Sequence, residues 1–194
     1  CAVGFWGVAN ETRPSPERNA FLHRTLEFAR SVDSTRLYTA AFDNVHYKSE
    51  YGEFRIEDDF TEELDVVSFN KYMGWYTPWP VAPSQCRWNV VPDKPVIISE
   101  FGCEALYGQR GNAEWAGSWS EDYQAANFLK NLEMFGQIPN LAGVSPWVLY
   151  DFRSPYRFHP TNQDGWNRKG LVSDQGQRKK AWYIMRDYYM KMNK

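Results

Sequence analysis

Two glutamates in this chain each close a short apolar run. KPVIISEFG, residues 94 to 102, carries the β-branched Val96, Ile97 and Ile98 through Ser99 into Glu100, and GVANE, residues 7 to 11, ends on Asn10-Glu11. Runs of this kind suit strands buried on both faces. A carboxylate at the rim of such a strand is either a loop salt-bridge partner or a group held there for chemistry. Two carboxylates flanking one bond suit glycoside hydrolysis, where one must be protonated while the other is ionised at the same pH. Apolar and aromatic surroundings raise one pKa, and hydrogen-bond donors hold the other down. Asn10 and Tyr72 are available as donors, and Asn70, Trp147 and Asp151 stand at further expected strand ends.

The elements that must position these residues alternate along the chain. AVGFWGVAN reads as a buried strand, and PSPERNAFLHRTLEFARSVD as an amphipathic helix opened by Ser15 and Pro16 and closed at Asp33 and Ser34. RLYTAAF is a second strand, DVVSFNKY a third, KPVIISEFG a fourth and LAGVSPWVLYDF a fifth. Between them, DNVHYKSEYGEFRIED reads as a polar loop and YTPWPVAPSQCRWNVVP as a loop rich in Pro and Trp. SEDYQAANFLKNLEMFG is a helix with Ser120 as cap and Gly136 as stop, and KKAWYIMRDYYMKM is a terminal helix. This alternation means α/β with a parallel sheet, either open and doubly wound or part of a barrel. No G-x-G-x-x-G follows the first strand, no phosphate-binding G-x-x-x-x-G-K-[ST] occurs, and no G-x-S-x-G elbow offers a serine nucleophile.

Composition narrows the partners. The 194 residues suffice for one core. Aromatic residues make up 17%, many beside Gly, Pro and Asn, where they serve as sugar platforms or as packing. Net charge is −2 with both signs interspersed, which is no footprint for nucleic acid. No apolar run is long enough for a membrane-spanning helix, and the first residues lack the basic start of a signal peptide. Cys1, Cys86 and Cys103 have no metal-ligand spacing, and His23, His46 and His159 are scattered, so neither a metal site nor a cofactor is expected.

GVANE (7–11), SFNKYMGWY (68–76), KPVIISEFG (94–102) and WNRKGLV (166–172) occur in one order that resembles glycoside hydrolase family 2, and most closely its β-glucuronidases and β-galactosidases. The resemblance covers essentially the whole chain. It implies a (β/α)8 TIM barrel, of which residues 1–194 would be the C-terminal portion, about strands 4–8. Glu11 is then the acid/base at the end of the fourth strand, with Asn10 on the sugar's 2-hydroxyl. Glu100 is the nucleophile ending the seventh, Tyr72 its hydrogen-bond donor, and Trp147 the floor of the sugar site. Asn70, Trp75 and Tyr76, from the second motif, join the substrate-binding set, whereas Glu104 is expected in the loop. Glu100 would attack the anomeric carbon as Glu11 protonates the leaving oxygen, and a water deprotonated by Glu11 would release the sugar with retained configuration.

Asn167-x-Lys169 matches the motif that binds the uronate carboxylate in β-glucuronidases, while the same Asn-Arg-Lys-Gly also reads as a solvated turn or as part of a neutral galactoside site. Arg153 and Arg157 depart from the familiar pattern; they read an acidic or sulfated polysaccharide or pair with Asp151 and Asp164. Arg13 would border the aglycone side. His46 and Tyr47 line the site or serve structure.

The expected activity is that of a retaining exo-β-glycosidase on a carbohydrate substrate, a β-glucuronidase first, with β-galactosidase as the alternative. The rival from another class is a non-catalytic carbohydrate-binding protein. Eight strands normally need ~250 residues, so the resemblance implies that earlier barrel strands and β-sandwich domains are absent from this chain. The partner of its first strand would be that missing remainder of the enzyme, with a homo-oligomer also open. The isolated chain is expected to be poorly soluble or inactive, and the compartment is left undecided.

Overall fold

The computed structural model describes residues 3–91 and 93–192; Cys1 and Ala2, at the head of the first expected strand, and Pro92, in the Pro-rich loop, lie outside them. The chain divides into two compact units, one drawn from residues 1–71, 84–99 and 135–145, the other from 72–83, 100–134 and 146–194.

The first unit holds a five-stranded sheet. In chain order its elements are β1 (Phe5–Asn10), α1 (Pro16–Val32), β2 (Leu37–Phe42), β3 (Val45–Lys48), β4 (Glu53–Ile56), β5 (Val67–Asn70), β6 (Trp88–Asn89), β7 (Val96–Glu100) and β8 (Leu141–Val144). Strand order is β1-β2-β5-β7-β8, and β1–β2, β2–β5 and β7–β8 pair in parallel. Ser15 caps α1 by accepting from the Arg18 amide 3.1 Å away, and Pro16 follows at the first turn, where a missing N–H costs nothing. Leu22 and Leu26, one turn apart on α1, are buried. All four residues of β5 are buried, as an interior strand of a covered parallel sheet requires.

The first strand reads locally as buried, but as the first strand of a partial barrel it is expected at an exposed edge, and β1 lies there: Phe5 and Trp6 are 45% and 44% exposed, and Phe21 and Phe28 on α1 are 60% and 71% exposed. One expectation is corrected here. DNVHYKSEYGEFRIED is not a polar loop. Val45–Lys48 and Glu53–Ile56 pair antiparallel as a hairpin, and β6 adds to it in parallel. The hairpin exists because it buries Val45 and Phe54; Phe54 stacks on Trp88 with centroids 4.3 Å apart, and Trp88 stacks on Phe69 of β5 at 5.7 Å. Burying each such ring is worth about 1.5–3 kcal/mol. His46 and Tyr47 lie on β3, with Tyr47 edge-on to Phe54 at 5.4 Å.

The second unit is built on α2 (Glu121–Phe135, whose last residue falls in the first unit), the short antiparallel pair β9 (Phe152–Arg153) and β10 (Trp166–Asn167), and α3 (Lys180–Met192). Ser120 caps α2 by accepting from the Tyr123 amide, and the helix stops before Gly136. LAGVSPWVLYDF is strand only as far as Val144; Ser145 and Pro146 break it, and Trp147 lies beyond its end.

Lys71, directly after β5, is 5% exposed; its ammonium donates to the Val45 carbonyl at 2.7 Å and faces the Phe54 ring at 5.4 Å. Burial pulls its pKa from the ordinary 10.5 down to about 8, against a smaller upward pull from Asp43. The depressed group stabilises the fold above its unfolded pKa, and that contribution is lost as pH falls through the folded one. The interval corresponds to about 3 kcal/mol. Lys71→Met removes it, so the stability of the parent relative to this variant should rise by about 3 kcal/mol between pH 7.5 and 10.5 in denaturant unfolding; parallel pH profiles would contradict the assignment.

Candidate active site

Glu11 follows β1 with φ 51°, a left-handed conformation that costs a non-glycine residue energy and is found where a side chain has to be aimed. Its amide donates to the Ala41 carbonyl at 2.9 Å, which anchors the turn to β2. Its carboxylate accepts from Asn70 Nδ2 at 2.7 Å, and the same nitrogen donates to Asn10 Oδ1 at 3.1 Å. Asn70 is itself oriented, since its Oδ1 accepts from Ser99 Oγ at 2.6 Å. The first unit thus gathers Asn10, Glu11 and Asn70 at the C-terminal ends of β1 and β5.

The second unit gathers the rest. Tyr72 Oη donates to Glu100 Oε2 at 2.6 Å, a short charge-assisted bond. Tyr72 lies edge-on to Tyr76 at 5.1 Å, and Trp75 is edge-on to Trp119 at 5.3 Å. Lys169 Nζ lies 5.7, 5.9 and 4.8 Å from the ring centres of Tyr72, Trp75 and Tyr76, within cation–π range of all three. Gly102, at φ 129° and packed against the Phe128 ring, turns the chain away from Glu100 toward Glu104 in a conformation closed to side chains.

Glu104 lies in the loop, fully buried, and it is the residue whose importance local patterns hide. Its Oε1 accepts from Lys169 Nζ and Arg157 Nη1, both at 3.1 Å, and from Gln163 Nε2 at 2.9 Å; Oε2 accepts from Gln163 at 3.0 Å and the Arg168 amide at 3.0 Å. Tyr76 Oη accepts from Lys169 at 2.7 Å and Arg157 at 2.9 Å. Burial pushes the Tyr76 pKa up, but the two cations outweigh it and hold the phenol below its ordinary value. Asn167 is buried on β10, and its Oδ1 accepts from the Lys169 amide at 3.0 Å, so it shapes the turn that presents the lysine.

The expected residues are not all in this cluster. Arg153 stacks on Trp166 at 4.3 Å and donates to the Asp164 carbonyl at 3.5 Å, away from Glu104. Trp147 is held by its amide to the Phe101 carbonyl at 2.9 Å, with its ring edge-on to Phe152 at 6.0 Å. Burial pushes the Cys103 thiol up, which leaves it unsuited to nucleophilic work.

A second buried pair braces the lysine turn. Lys179 Nζ donates to Asp151 Oδ1 at 2.8 Å and to the carbonyls of Ala105 and Arg168 at 2.7 and 2.9 Å, while Asp151 Oδ1 also accepts from the Gly170 amide at 2.8 Å. Burial raises the Asp151 pKa and lowers that of Lys179, the cost that their mutual attraction offsets only in part. A methyl group on Gly170 would fall on the Asp151 amide and carboxylate, so this close approach requires glycine.

A model of "Glycosyl hydrolases family 2, TIM barrel domain" matches residues 1–194. The chain belongs to glycosyl hydrolase family 2. Among curated relatives it is 28% identical over 205 residues to a β-glucuronidase of Mus musculus, covering 98% of this chain and 29% of that protein. It is 29% identical over 152 residues to a β-glucuronidase of Streptococcus agalactiae, covering 70% of this chain and 24% of that one. The chain therefore spans less than a third of the length of these relatives. Among solved structures, a family 2 β-galacturonidase from Eisenbergiella tayi bound to galacturonate superposes with a TM-score of 0.77 at 23% identity, over 98% of this chain and 34% of that one. A β-D-glucuronidase of Dictyoglomus thermophilum gives 0.76 at 21%, over 98% and 32%. At these identities the structural matches establish the shared fold.

The bracing role of Asp151 is open to a stability test. Asp151→Asn strands the Lys179 ammonium, whose side chain is fully buried, and should cost about 3–5 kcal/mol in chemical denaturation. The double variant Asp151→Leu with Lys179→Met should recover most of that loss; a double variant no more stable than Asp151→Asn would contradict it.

Proposed function

We propose that this chain supplies the catalytic face of a retaining exo-β-glycosidase of the β-glucuronidase type. The observation that carries the reading is the Tyr72 bridge: the phenol that donates to Glu100 has its ring 5.7 Å from the Lys169 ammonium, so a nucleophile and a cation share one aromatic floor. A sugar whose anomeric carbon meets Glu100 can then present a ring carboxylate to Lys169 and Tyr76. The relatives named β-glucuronidase support the same substrate class.

In this reading Glu11 and Glu100 face one glycosidic bond. The family match supports this pairing, because barrel enzymes place their chemistry at the C-terminal ends of their strands, where Glu11 stands directly after β1 and Glu100 at the end of β7. Glu100 attacks the anomeric carbon, with Tyr72 orienting its carboxylate. Glu11, oriented by Asn70, protonates the departing oxygen. A water then gives its proton to Glu11 and its oxygen to the anomeric carbon, breaking the ester to Glu100 and returning both carboxyl groups to their starting states. Such a mechanism places the two carboxyl groups ~5–5.5 Å apart. The exposed Phe5, Trp6, Phe21 and Phe28 suit coverage of the β1 edge by further barrel strands in the intact protein.

The test compares aryl β-glucuronide with aryl β-galactoside hydrolysis by the intact protein. We expect the glucuronide to be preferred, Glu100→Gln to abolish its turnover, and Glu11→Gln to reduce it by roughly 10²–10⁴-fold. Preference for the galactoside would reject the uronate reading, and activity surviving in Glu100→Gln would reject the nucleophile.

A further inference from the structure

In the first unit the direction of a few hydrogen bonds carries information that their presence alone does not. Asn70 is 4% exposed, so both ends of its amide need partners, and the ends are chemically opposite: Oδ1 only accepts and Nδ2 only donates. Oδ1 accepts from Ser99 Oγ, on β7, at 2.6 Å. Nδ2 donates to Glu11 Oε1 at 2.7 Å and to Asn10 Oδ1 at 3.1 Å. Turned end for end, the amide would set its oxygen against Asn10 Oδ1, two acceptors with no proton between them.

A serine hydroxyl can donate or accept, so Asn10 decides the polarity of the amide and Ser99 supplies the donor that Oδ1 needs. Ser68, two residues back on the same face of β5, is engaged with Thr39 Oγ1 at 2.7 Å, which leaves Ser99 as the donor on which Asn70 relies. Without that donor, Oδ1 would be a buried orphan, and the proton of a protonated Glu11 would be the partner within reach. Asn70 would then turn its oxygen toward Glu11 and draw that proton onto Oε1.

The polarity matters because an acid must carry its proton on the oxygen that meets the leaving group. In a protonated carboxyl the carbonyl oxygen is the better acceptor, so an N–H held against Oε1 leaves the proton on Oε2. Among the described residues Oε2 has no hydrogen-bond partner, and it is the oxygen free to meet a substrate. We propose that Ser99 is a positioning residue for acid catalysis, which acts through Asn70 to keep the proton of Glu11 on Oε2. The proposal rests on the reading of Glu11 as acid/base and adds to it the choice of oxygen. In the first step the proton passes from Oε2 to the departing oxygen, as Glu100 bonds to the anomeric carbon and the glycosidic bond breaks. In the second, the attacking water returns a proton to the same oxygen.

The experiment measures kcat/KM of the intact protein on phenyl and dinitrophenyl β-glucuronides. Phenoxide leaves slowly unless it is protonated, whereas dinitrophenoxide leaves with little help, so the second substrate also reports on folding. Parent, Ser99→Ala, Ser99→Thr and Glu11→Gln are compared. We expect the loss in Ser99→Ala to be about 10- to 100-fold greater on the phenyl than on the dinitrophenyl substrate, a part of the roughly 10²–10⁴-fold that a positioned acid contributes. Ser99→Thr keeps the hydroxyl and should recover most of the phenyl rate. Equal losses on both substrates in Ser99→Ala, no loss on either, or a threonine variant as slow as the alanine one would overturn the proposal. A selective loss in Glu11→Gln with none in Ser99→Ala would overturn it while leaving Glu11 as the acid/base. Equal losses on both substrates in Glu11→Gln, or a parent that cleaves neither glucuronide, would remove the underlying reading and the proposal with it.

Discussion

The constraint on which the second unit depends is the burial of the Glu104 carboxylate. A charge removed from water is tolerated only with full compensation, and Glu104 obtains it from Lys169, Arg157, Gln163 and the Arg168 amide. Those donors come from the loop after β9 and from the turn after β10, so satisfying one carboxylate fixes the conformation of both segments. The Asp151–Lys179 pair completes the brace from the other side of the turn, through the carbonyls of Ala105 and Arg168. Lys169 is thereby held 1% exposed among three aromatic rings, in contact with the phenol of Tyr76 and within reach of the ring of Tyr72.

The two units solve the positioning problem by different means. In the first, neutral amide and hydroxyl groups orient Glu11: Ser99 fixes Asn70, and Asn70 fixes both Asn10 and Glu11. In the second, charges orient one another around Glu104. Side chains whose partners are themselves locked reach catalytic geometry with little reorganisation, the condition under which electrostatic stabilisation is most effective. Among the described residues, non-glycine backbone strain appears at Glu11, Trp119 and Asp164, with φ of 51°, 50° and 47°, and of these Glu11 carries the proposed chemistry.

Much of this was legible in the residues. The apolar runs of β5 and β7, the capped helices α1 and α2, and the carboxylates after β1 and at the end of β7 follow from local pattern. The hairpin was not, because VHYK and EFRI are four residues each and alternate with charges, too short for period-two patterning to stand out. The apolar run of β1 by itself suggests only a buried strand; its exposed edge position follows from the resemblance to a partial barrel and is set by which strands flank it. The partners of Glu104 and Asp151 lay beyond local reading as well, since Lys169 is 65 residues from one and Lys179 is 28 from the other. Arg157 pairs with Glu104 rather than with Asp151 or Asp164, a choice made by tertiary structure alone.

In the proposed mechanism Glu100, the acid ending β7, becomes covalently bonded to the sugar. A 2-deoxy-2-fluoro-glucuronosyl fluoride slows release of the glycosyl-enzyme more than its formation, so the intermediate can be trapped on the intact protein and located by peptide mass spectrometry. One fluoroglucuronosyl group is expected on the peptide carrying Ile97–Phe101, assigned by fragmentation to Glu100. A stoichiometric adduct on Glu104 or on Glu11 would contradict it.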